Sequence, residues 1–306
     1  MRPSGRGPLP QGIGSVSEIT PAGELNARSA LHDVRGLDGE DRTMSAFDDD
    51  LMADRTVFVA GGTSGINLGI ARRFAQLGAR VAVAGRNPEK AKTAADSIGP
   101  GALGLSADVR DYEAIRGAME QVAAELGPLD VVVSGAAGNF LAPAAKMSAN
   151  AFRTVVDIDL NGTFNVFRGC YDLLRTPGAS LIAITAGQAV NAMPMQAHAC
   201  AAKAGINQLV RVLAMEWGPD VRVNGISPGP IAGTEGMARL APDDSTRAAH
   251  YARIPMKRWG EIEEVAEAAV FLSSPSASYV SGTILDVDGG SQLGDATRND
   301  TSKGLA

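Results

Sequence analysis

Residues 56–69 read TVFVAGGTSGINLG, and this stretch decides the fold of the chain. Its first five residues are apolar or β-branched at consecutive positions, which predicts a strand that is covered on both faces. A glycine-rich turn follows at once, and the residues after it predict a helix. A strand, a glycine turn and a helix in this order are typical of the first unit of a doubly wound α/β fold.

Outward from this segment, short β-branched runs alternate with longer helical stretches, and runs such as VAVA are again apolar throughout. This alternation predicts the class α/β, with a single doubly wound, Rossmann-type parallel sheet of about seven strands in a three-layer α/β/α sandwich. Strands are predicted at 56–60, 80–84, 102–106, 131–134, 180–185, 221–226 and 283–287. Helices are predicted at 65–77, 88–98, 111–126, 148–174, 196–217 and 261–273.

The two ends of the chain differ in composition from the part between them. Residues 1–50 are dominated by Gly, Pro, Ser and mixed charges, with weak apolar periodicity. We expect a disordered tail there, because such a segment cannot bury enough apolar surface to fold. Residues 293–306 are predicted to form a second, shorter loose tail. Residues 51–292 are therefore predicted to be one folded domain.

The composition argues against several classes of function. The net charge is −6, so a broad basic surface for nucleic acid is not expected. The two cysteines, Cys170 and Cys200, are too few for a disulfide framework or a structural zinc site, and we expect no metal. No run of about 18 apolar residues is present, so no membrane span is predicted. Two free thiols fit a reducing cytoplasm, and we expect a cytoplasmic location. The last residues, Gly304-Leu305-Ala306, do not match a peroxisomal signal.

The glycine turn predicts a site for a phosphate group. Glycine is needed where the backbone turns tightly and where no side chain can stand between the helix N-terminus and a diphosphate. A glycine-rich connection without a ligand is the alternative. Asn67 stands where a third glycine is usual, at the helix-packing position. The residues predicted to contact the ligand are Gly61, Thr63, Ser64, Gly65 and Ile66.

The tip of the second strand predicts which nicotinamide cofactor binds. An acidic residue there would hydrogen-bond the adenosine ribose and repel a 2′-phosphate, but this chain has Gly85 followed by Arg86. We therefore predict NADP(H), with a solvated surface charge as the alternative for Arg86.

At the end of the third strand, Asp108 could meet the adenine amino group and Val109 could pack on the ring. A helix N-cap is the alternative for Asp108.

Further motifs agree in order and spacing with one family. They are SGAAG at 134–138, Lys203, SPGPI at 227–231 and DGG at 288–290, in addition to the glycine turn and Asp108-Val109. On these motifs, residues of about 52 to 292 resemble the short-chain dehydrogenase/reductase family. The resemblance implies that Lys203 holds the nicotinamide ribose and that Ile231 offers its backbone to the carboxamide. It also adds Ala136, Pro228 and Gly229 to the predicted cofactor-binding residues.

The catalytic set of that family is largely missing from this chain. The family's tyrosine, serine and asparagine positions are occupied by Ala199, Ala186 and Asp159, and only Lys203 is kept. A ketone reductase that uses a tyrosine acid is therefore not expected, because carbonyl reduction needs a proton for the forming alkoxide.

One branch of the family shows the same losses. The chain resembles the peroxisomal-type 2,4-dienoyl-CoA reductases through AAGNF at 136–140, FRTVVDIDLNGTFNV at 152–166, QAHACAAKAG at 196–205 and a fourth stretch at 216–236. This resemblance implies hydride transfer from NADPH to a conjugated acyl-CoA in fatty acid breakdown. The hydride leaves an enolate whose charge lies on the thioester oxygen, so an oxyanion must be stabilised. It also implies a homotetramer through the helices at 148–174 and 196–217 and the last strand.

The same resemblance suggests roles for two polar residues. Asn139 would donate its amide N–H to the thioester oxygen, with a turn-forming asparagine as the alternative. Asp159 would be the proton donor or would position water, with a carboxylate satisfied by backbone or by Lys203 as the alternative. His198, beside the missing tyrosine, is another conceivable proton source, although a histidine facing away is the favoured interpretation.

The segment after Ile231 corresponds to a substrate cover in the family. Its basic residues are candidates for the phosphates of coenzyme A, and ordinary surface charges are the favoured alternative. Phe140, Met193 and Met195 suit an acyl-chain wall or core packing equally well. The basic candidates are Arg239, Arg247, Arg253, Lys257 and Arg258.

Two other functions remain open from the sequence. One is a catalytically silent NADP(H)-binding sensor or partner protein, because alanine at positions 199 and 186, where the family has hydroxyl side chains, removes one chemistry without proving another. The other is a reductase for a different activated alkene or carbonyl.

Overall fold

The structure is a computed structural model, and it describes residues 47–299. Residues 1–46 of the predicted N-terminal tail and 300–306 of the predicted C-terminal tail lie outside the described residues. The strands are β1 (Thr56–Ala60), β2 (Arg80–Gly85), β3 (Leu103–Ser106), β4 (Val131–Ser134), β5 (Ala179–Ile184), β6 (Val221–Pro228) and β7 (Ile284–Val287).

The strands form one sheet, and every neighbouring pair in it is parallel. The strand order β3-β2-β1-β4-β5-β6-β7 reverses direction between β1 and β4, which is the pattern of a doubly wound sheet. The predicted seven-stranded parallel sheet is confirmed, with strand ends displaced by at most two residues from the predicted ones.

Helices cover both faces of this sheet. They are α1 (Gly65–Gln76), α2 (Pro88–Ile98), α3 (Tyr112–Leu126), α4 (Ala149–Val156), α5 (Gly162–Cys170), α6 (Ala197–Trp217), α7 (Glu235–Leu240), α8 (Asp244–Arg253) and α9 (Ile262–Ser273).

Each face of the sheet has its own apolar core. Phe58 of β1 packs with Phe167 of α5 and Ile206 of α6 in one core. Val57, the neighbouring residue of β1, points the other way and packs with Phe74 of α1 in the second core. Successive side chains of a strand point to opposite faces, so the continuous apolar runs in the sequence fill two cores at once. This arrangement gives the predicted three layers.

The helix predicted over 148–174 is helical without a break from residue 149 to residue 173, but its hydrogen-bond pattern changes in the middle. The chain forms α4, then a π-helical turn at Asp157–Asn161, then α5. Within the turn, the N–H of Gly162 donates to the carbonyl of Asp157 five residues earlier, and the Thr163 hydroxyl donates to the carbonyl of Asp159. The five-residue spacing of the Gly162 bond is that of a π-helix, which has one extra residue in the turn that contains Asp159.

The prediction also missed two short helices between residues 231 and 258. Helix α8 is polar, so apolar periodicity does not reveal it. Its start is nevertheless marked by Asp243, which accepts a hydrogen bond from Thr246 N, and Thr234 caps α7 in the same way. Both helices adjoin a small apolar cluster around Ala241, Ile254 and Trp259.

The remaining expectations concern the cysteines, metals and the chain end. Cys170 is buried and Cys200 is half-buried, and neither forms a disulfide. None of the described helices has the length and apolar character that a bilayer crossing requires. Within residues 47–299, no cluster of His, Cys, Asp and Glu is arranged to hold a metal ion. Short 3₁₀ turns lie at Ser291–Leu293 and Ala296–Asn299.

Candidate active site

The carboxyl ends of β1, β4, β5 and β6 meet at one edge of the sheet, where the strand order reverses. In a doubly wound sheet, ligands bind in the crevice at such a point. The loops that follow these strands contain the glycine turn, Asn139, Ala186 and the segment Pro228–Ile231. The topology therefore brings most of the predicted site residues to the same edge.

The glycine turn has the shape of a diphosphate cradle. Gly61 has a φ of +76°, and a Cβ on it would lie 2.6 Å from the backbone nitrogen of Ala136, so only glycine fits. Gly65 begins α1, and a Cβ built on it would have no heavy atom within 4 Å. Ser64 is the N-cap of α1, but its side chain makes no capping hydrogen bond. The helix N-terminus is thus open and uncapped, as a phosphate site requires.

The other two predicted residues of the turn pack inward. Thr63 is half-buried and lies against the end of β2, where a Cβ on Gly85 would come within 2.7 Å of its methyl group. Ile66 packs against the second core. These contacts fix the glycine turn beside the tip of β2, next to Arg86.

Asn67, in the place of the usual third glycine, connects two loops. Its side-chain amide donates to Gly61 O at 3.3 Å and to Gly135 O at 2.8 Å. The same side chain fills the space that a Cβ on Gly135 would need. The departure from the glycine pattern is therefore a specific crosslink between the loops after β1 and β4, which the sequence did not reveal.

Arg86 and Asp108 lie at the adenosine end of the predicted cofactor site. Arg86 is exposed at the end of β2. The Asp108 carboxylate forms an ion pair with Arg110 at 2.6 Å. The hydrogen bonds from Arg110 lower the pKa of Asp108, and the charge of Arg86 adds a smaller effect. The N-cap alternative for Asp108 is wrong, because Asp111 caps α3 by accepting from Ala114 N.

Val109 is buried rather than open. It belongs to the first core and lies so close to Gly162 that a Cβ there would come within 2.6 Å of its Cγ2 atom. Its carbonyl accepts a hydrogen bond from Asn165 at 2.9 Å.

A buried ion pair joins helix α6 to the π-helical turn. The Lys203 ammonium on α6 donates to Ile184 O at 3.0 Å and lies 3.4 Å from Asp159 Oδ2. Asp159 is 1% exposed, and its Oδ1 atom accepts from Gly138 N at 2.7 Å. Asp159 thus connects the π-helical turn, α6 and the loop after β4. These contacts match the alternative interpretation of Asp159, in which its carboxylate is bonded by a backbone N–H and by Lys203.

The neighbourhood of Lys203 has no hydroxyl at the two family positions. Ala199, one turn before Lys203, is buried, and Ala186 is half-buried after β5. His198 is fully buried and packs edge to face on Phe140, with ring centroids 4.3 Å apart. Neither of its ring nitrogens has a hydrogen-bond partner among the described residues.

Three amide side chains cluster beside these alanines. Asn139 Nδ2 donates to Gln196 Oε1 at 2.6 Å, and Gln188 Nε2 donates to the same oxygen at 3.4 Å. Gln196 is the N-cap residue of α6, the helix of Lys203. The sequence prediction included Asn139 but missed both glutamines. Their positions directly after β5 and before α6 were the only available signal.

The segment after β6 lies on the opposite side of the crevice. Pro228 ends β6, and Gly229 N donates to Val287 O at 2.9 Å. Ile231 is buried and pairs with Gly260 through hydrogen bonds made by Gly260 N and Ala232 N. In a parallel pair of this kind the N–H of Ile231 points away from Gly260, as a carboxamide contact would need.

Three predicted basic residues of the cover segment are already paired. Arg253 lies 3.0 Å from Asp295, Arg258 lies 2.6 Å from Glu264, and Arg247 pairs with Asp244. The three arginines are therefore paired as ordinary surface charges are, which was the favoured alternative to a role in binding the phosphates of coenzyme A.

The three apolar residues that suit an acyl-chain wall are exposed. Phe140, Met193 and Met195 are 40%, 38% and 45% exposed, so the core-packing alternative is wrong for them. Phe140 packs on His198, and the Met193 sulfur lies 3.8 Å from the Gln196 amide nitrogen.

Comparison with known proteins gives a consistent result. Residues 60–292 match the family model described as enoyl-(acyl carrier protein) reductase. The chain is 41% identical over 280 residues to the peroxisomal 2,4-dienoyl-CoA reductase [(3E)-enoyl-CoA-producing] of Pongo abelii, covering 90% of this chain and 95% of that protein. It is 43% identical over 250 residues to the protein of the same name from Rattus norvegicus, covering 80% and 86%. A crystal structure of a short chain dehydrogenase from Bacillus anthracis aligns with a TM-score of 0.70 at 36% identity, covering 78% of this chain and 97% of that one.

Proposed function

The chain belongs to the short-chain dehydrogenase/reductase family, and we propose that it is a 2,4-dienoyl-CoA reductase that uses NADPH and produces a 3-enoyl-CoA. The observation that carries this proposal is the pairing of an intact Lys203 with alanine at position 199, where a carbonyl reductase of the family needs a hydroxyl. The named relatives at about 40% identity act on the same class of substrate by their names.

The crevice fits a nicotinamide dinucleotide. The uncapped N-terminus of α1 and the narrow gap between Gly61 and Ala136 suit a diphosphate, as do the exposed positions of Ser64 and Gly65. Lys203 and the backbone of Ile231 would hold the nicotinamide half. When bound, this cofactor supplies a hydride to the substrate.

The residues on the substrate side stabilise negative charge. Hydride addition to the far end of the diene moves an electron pair to the thioester oxygen, and protonation at the α-carbon then gives the 3-enoyl product. Asn139 has two amide protons and gives one to Gln196, so the second is available to the thioester oxygen. A donor positioned in advance costs no reorganisation during the reaction, which makes such groups effective.

We propose that Asp159 is a positioning residue and not the acid. Its ion pair with Lys203 requires a carboxylate, and its other oxygen already accepts from Gly138 N. It is also buried away from the crevice surface. The residue therefore orients the Lys203 ammonium and holds the loop that carries Asn139, while the proton for the α-carbon comes from water.

The test is direct. Purified protein is mixed with NADPH and 2,4-hexadienoyl-CoA, and cofactor oxidation is followed at 340 nm while mass spectrometry identifies the product. We expect turnover and a 3-enoyl-CoA. Binding of NADPH without oxidation by any acyl-CoA would favour a silent sensor or partner protein. Turnover only with ketones or free enones in a parallel panel would move the proposal to another activated substrate.

The preference for NADPH is tested at Arg86. Replacing Arg86 by alanine should raise KM for NADPH by about 10-fold or more, because a charge-assisted hydrogen bond contributes about 1.5–3 kcal/mol. KM for NADH should stay nearly unchanged. Lys90→Ala is the matched control, since Lys90 is an exposed cation four residues along the chain. Equal effects of Arg86→Ala on both cofactors would contradict the assignment.

We propose that the chain assembles as a homotetramer. A homotetramer is supported by large apolar side chains exposed on α4, α5 and α6, among them Phe152, Phe164 and Met215. Light scattering during gel filtration measures the mass of the assembly.

We propose the cytoplasm as the location of the protein, although the relatives named above are peroxisomal by name.

A further inference from the structure

The amino-terminal edge of the sheet, opposite the crevice, carries a row of arginines. Arg55 directly precedes β1, Arg80 begins β2, and Arg175 lies four residues before β5. Because β2, β1, β4 and β5 are neighbours in the sheet, these strand starts lie side by side. Residues that are about 120 positions apart in the sequence are thus brought to one place by the topology, as the register of Thr56 with Arg80 also requires.

A cavity of about 510 Å³ opens among these strand starts. This volume is within the range of small-molecule sites. The walls are polar and the balance of charge is positive, with three guanidinium groups against two carboxylates. The lining residues are Arg55, Arg80, Arg175, Asp54, Asp130 and the turn Pro177–Gly178.

The carboxylate of Asp130 is already committed to the protein. Its Oδ1 atom accepts from Arg175 Nε at 2.9 Å, and its Oδ2 atom accepts from Thr56 N at 2.9 Å. Arg80 donates to the backbone oxygen of Asp54 and not to the carboxylate of that residue. These contacts leave further N–H groups on both guanidinium groups, since each has five.

Arg55 has no such partner. It is half-buried, and its guanidinium makes neither a hydrogen bond nor an ion pair with any residue in the range 47–299. One strand beyond β5, Arg222 is also half-buried, and its partners within the described part of the chain are the carbonyls of Leu272 and Val280. Burial lowers the pKa of Arg222, and the positive charge of Arg55 lowers it further. These two half-buried cations are therefore close enough for their charges to repel each other.

We propose that this cavity binds a small anion carrying a phosphate or diphosphate group, held by Arg55 with Arg80 and Arg175. Guanidinium groups match phosphate oxygens in pairs of parallel hydrogen bonds, and a bound anion would give Arg55 the partner it lacks. The site lies on the edge of the sheet opposite the cofactor crevice, so both can be filled together.

The test is isothermal titration calorimetry on the whole protein saturated with NADPH, so that the cofactor site is already occupied. Inorganic diphosphate is the first probe, and adenosine 3′,5′-bisphosphate, the nucleotide part of coenzyme A, is the second. We expect one saturable site per chain for at least one probe. Stronger binding of the bisphosphate would indicate a nucleotide ligand, and equal binding would indicate a free phosphate compound.

The variants identify the site. Arg55→Gln should weaken binding at least 10-fold without changing turnover, because Arg55 is far from the catalytic residues. Arg72→Gln is the matched control, an exposed arginine on α1 that bonds Ser97, and it should bind as the wild type does. Arg80→Gln gives an independent answer should Arg55→Gln fold poorly. Absence of saturable heat, or equal binding by Arg55→Gln and the wild type, would overturn the proposal and leave Arg80 and Arg175 with the partners they already have, Asp54 O and the Asp130 carboxylate.

Discussion

Replacement of Asn139 by alanine is expected to lower kcat on a 2,4-dienoyl-CoA by about 10²- to 10³-fold, the usual effect of removing one donor to an oxyanion. The substitution removes the amide that Gln196 holds at the mouth of the crevice, beside Phe140. The affinity for NADPH should change by less than about twofold, because Asn139 contacts none of the predicted cofactor residues. Stopped-flow turnover and NADPH fluorescence titration measure the two effects separately.

Two further variants sharpen this expectation. Asn150→Ala is the matched control, since Asn150 is an exposed asparagine at the start of α4, and it should leave kcat unchanged. Gln196→Ala should lower kcat by less than Asn139→Ala, because it frees the amide to rotate but does not remove it. Wild-type turnover in Asn139→Ala would exclude this residue as the oxyanion donor while leaving the fold and the cofactor site untouched.

The second large effect is expected at the buried pair of Asp159 and Lys203. Asp159→Asn should lower the free energy of unfolding by about 3 kcal/mol or more, because it leaves the Lys203 ammonium buried without a counter-charge. It should also lower kcat by about 10²-fold, since a displaced lysine misplaces the ribose and the hydride donor. Urea unfolding followed by tryptophan fluorescence and steady-state kinetics measure the two quantities.

A double variant separates the two roles of the pair. Asp159→Asn with Lys203→Met removes both charges, and its loss of stability should be smaller than the sum of the two single losses. Its turnover should remain low, because no cation is left for the ribose. Recovery of turnover together with stability would mean that the pair serves folding alone, and additive losses of stability would mean that the two charges do not interact.

Much of the fold follows from local patterns in the sequence. The runs TVFVA and VAVA are apolar at every position, and only strands between two cores need this, so both the sheet and its layers are predictable. Apolar patterns do not predict the helices α7 and α8, because these helices are short. Their starts are marked instead by the N-cap residues Thr234 and Asp243. The division of the helix at Asp157–Asn161 depends on bonds within the turn, which periodicity does not indicate.

Some of the site residues can also be predicted from the sequence, and others are shown only by the structure. Residues whose role depends on the backbone, such as Gly61 and Lys203, occur in motifs of fixed spacing and can be found by reading the chain. The contacts of Asn139 with Gln196, and of Asp159 with Gly138, join segments 57 and 21 residues apart, and only the folded chain shows them. The arginines at the strand starts are a more extreme case, because each one looks like an ordinary surface charge in the sequence.

The amide of Asn67 has a mechanical consequence. It donates to the carbonyls of Gly61 and Gly135, and so it joins the glycine turn to the start of the loop that contains Asn139. The glycine turn and the loop that leads to Asn139 are therefore held at a fixed distance from each other before any ligand binds.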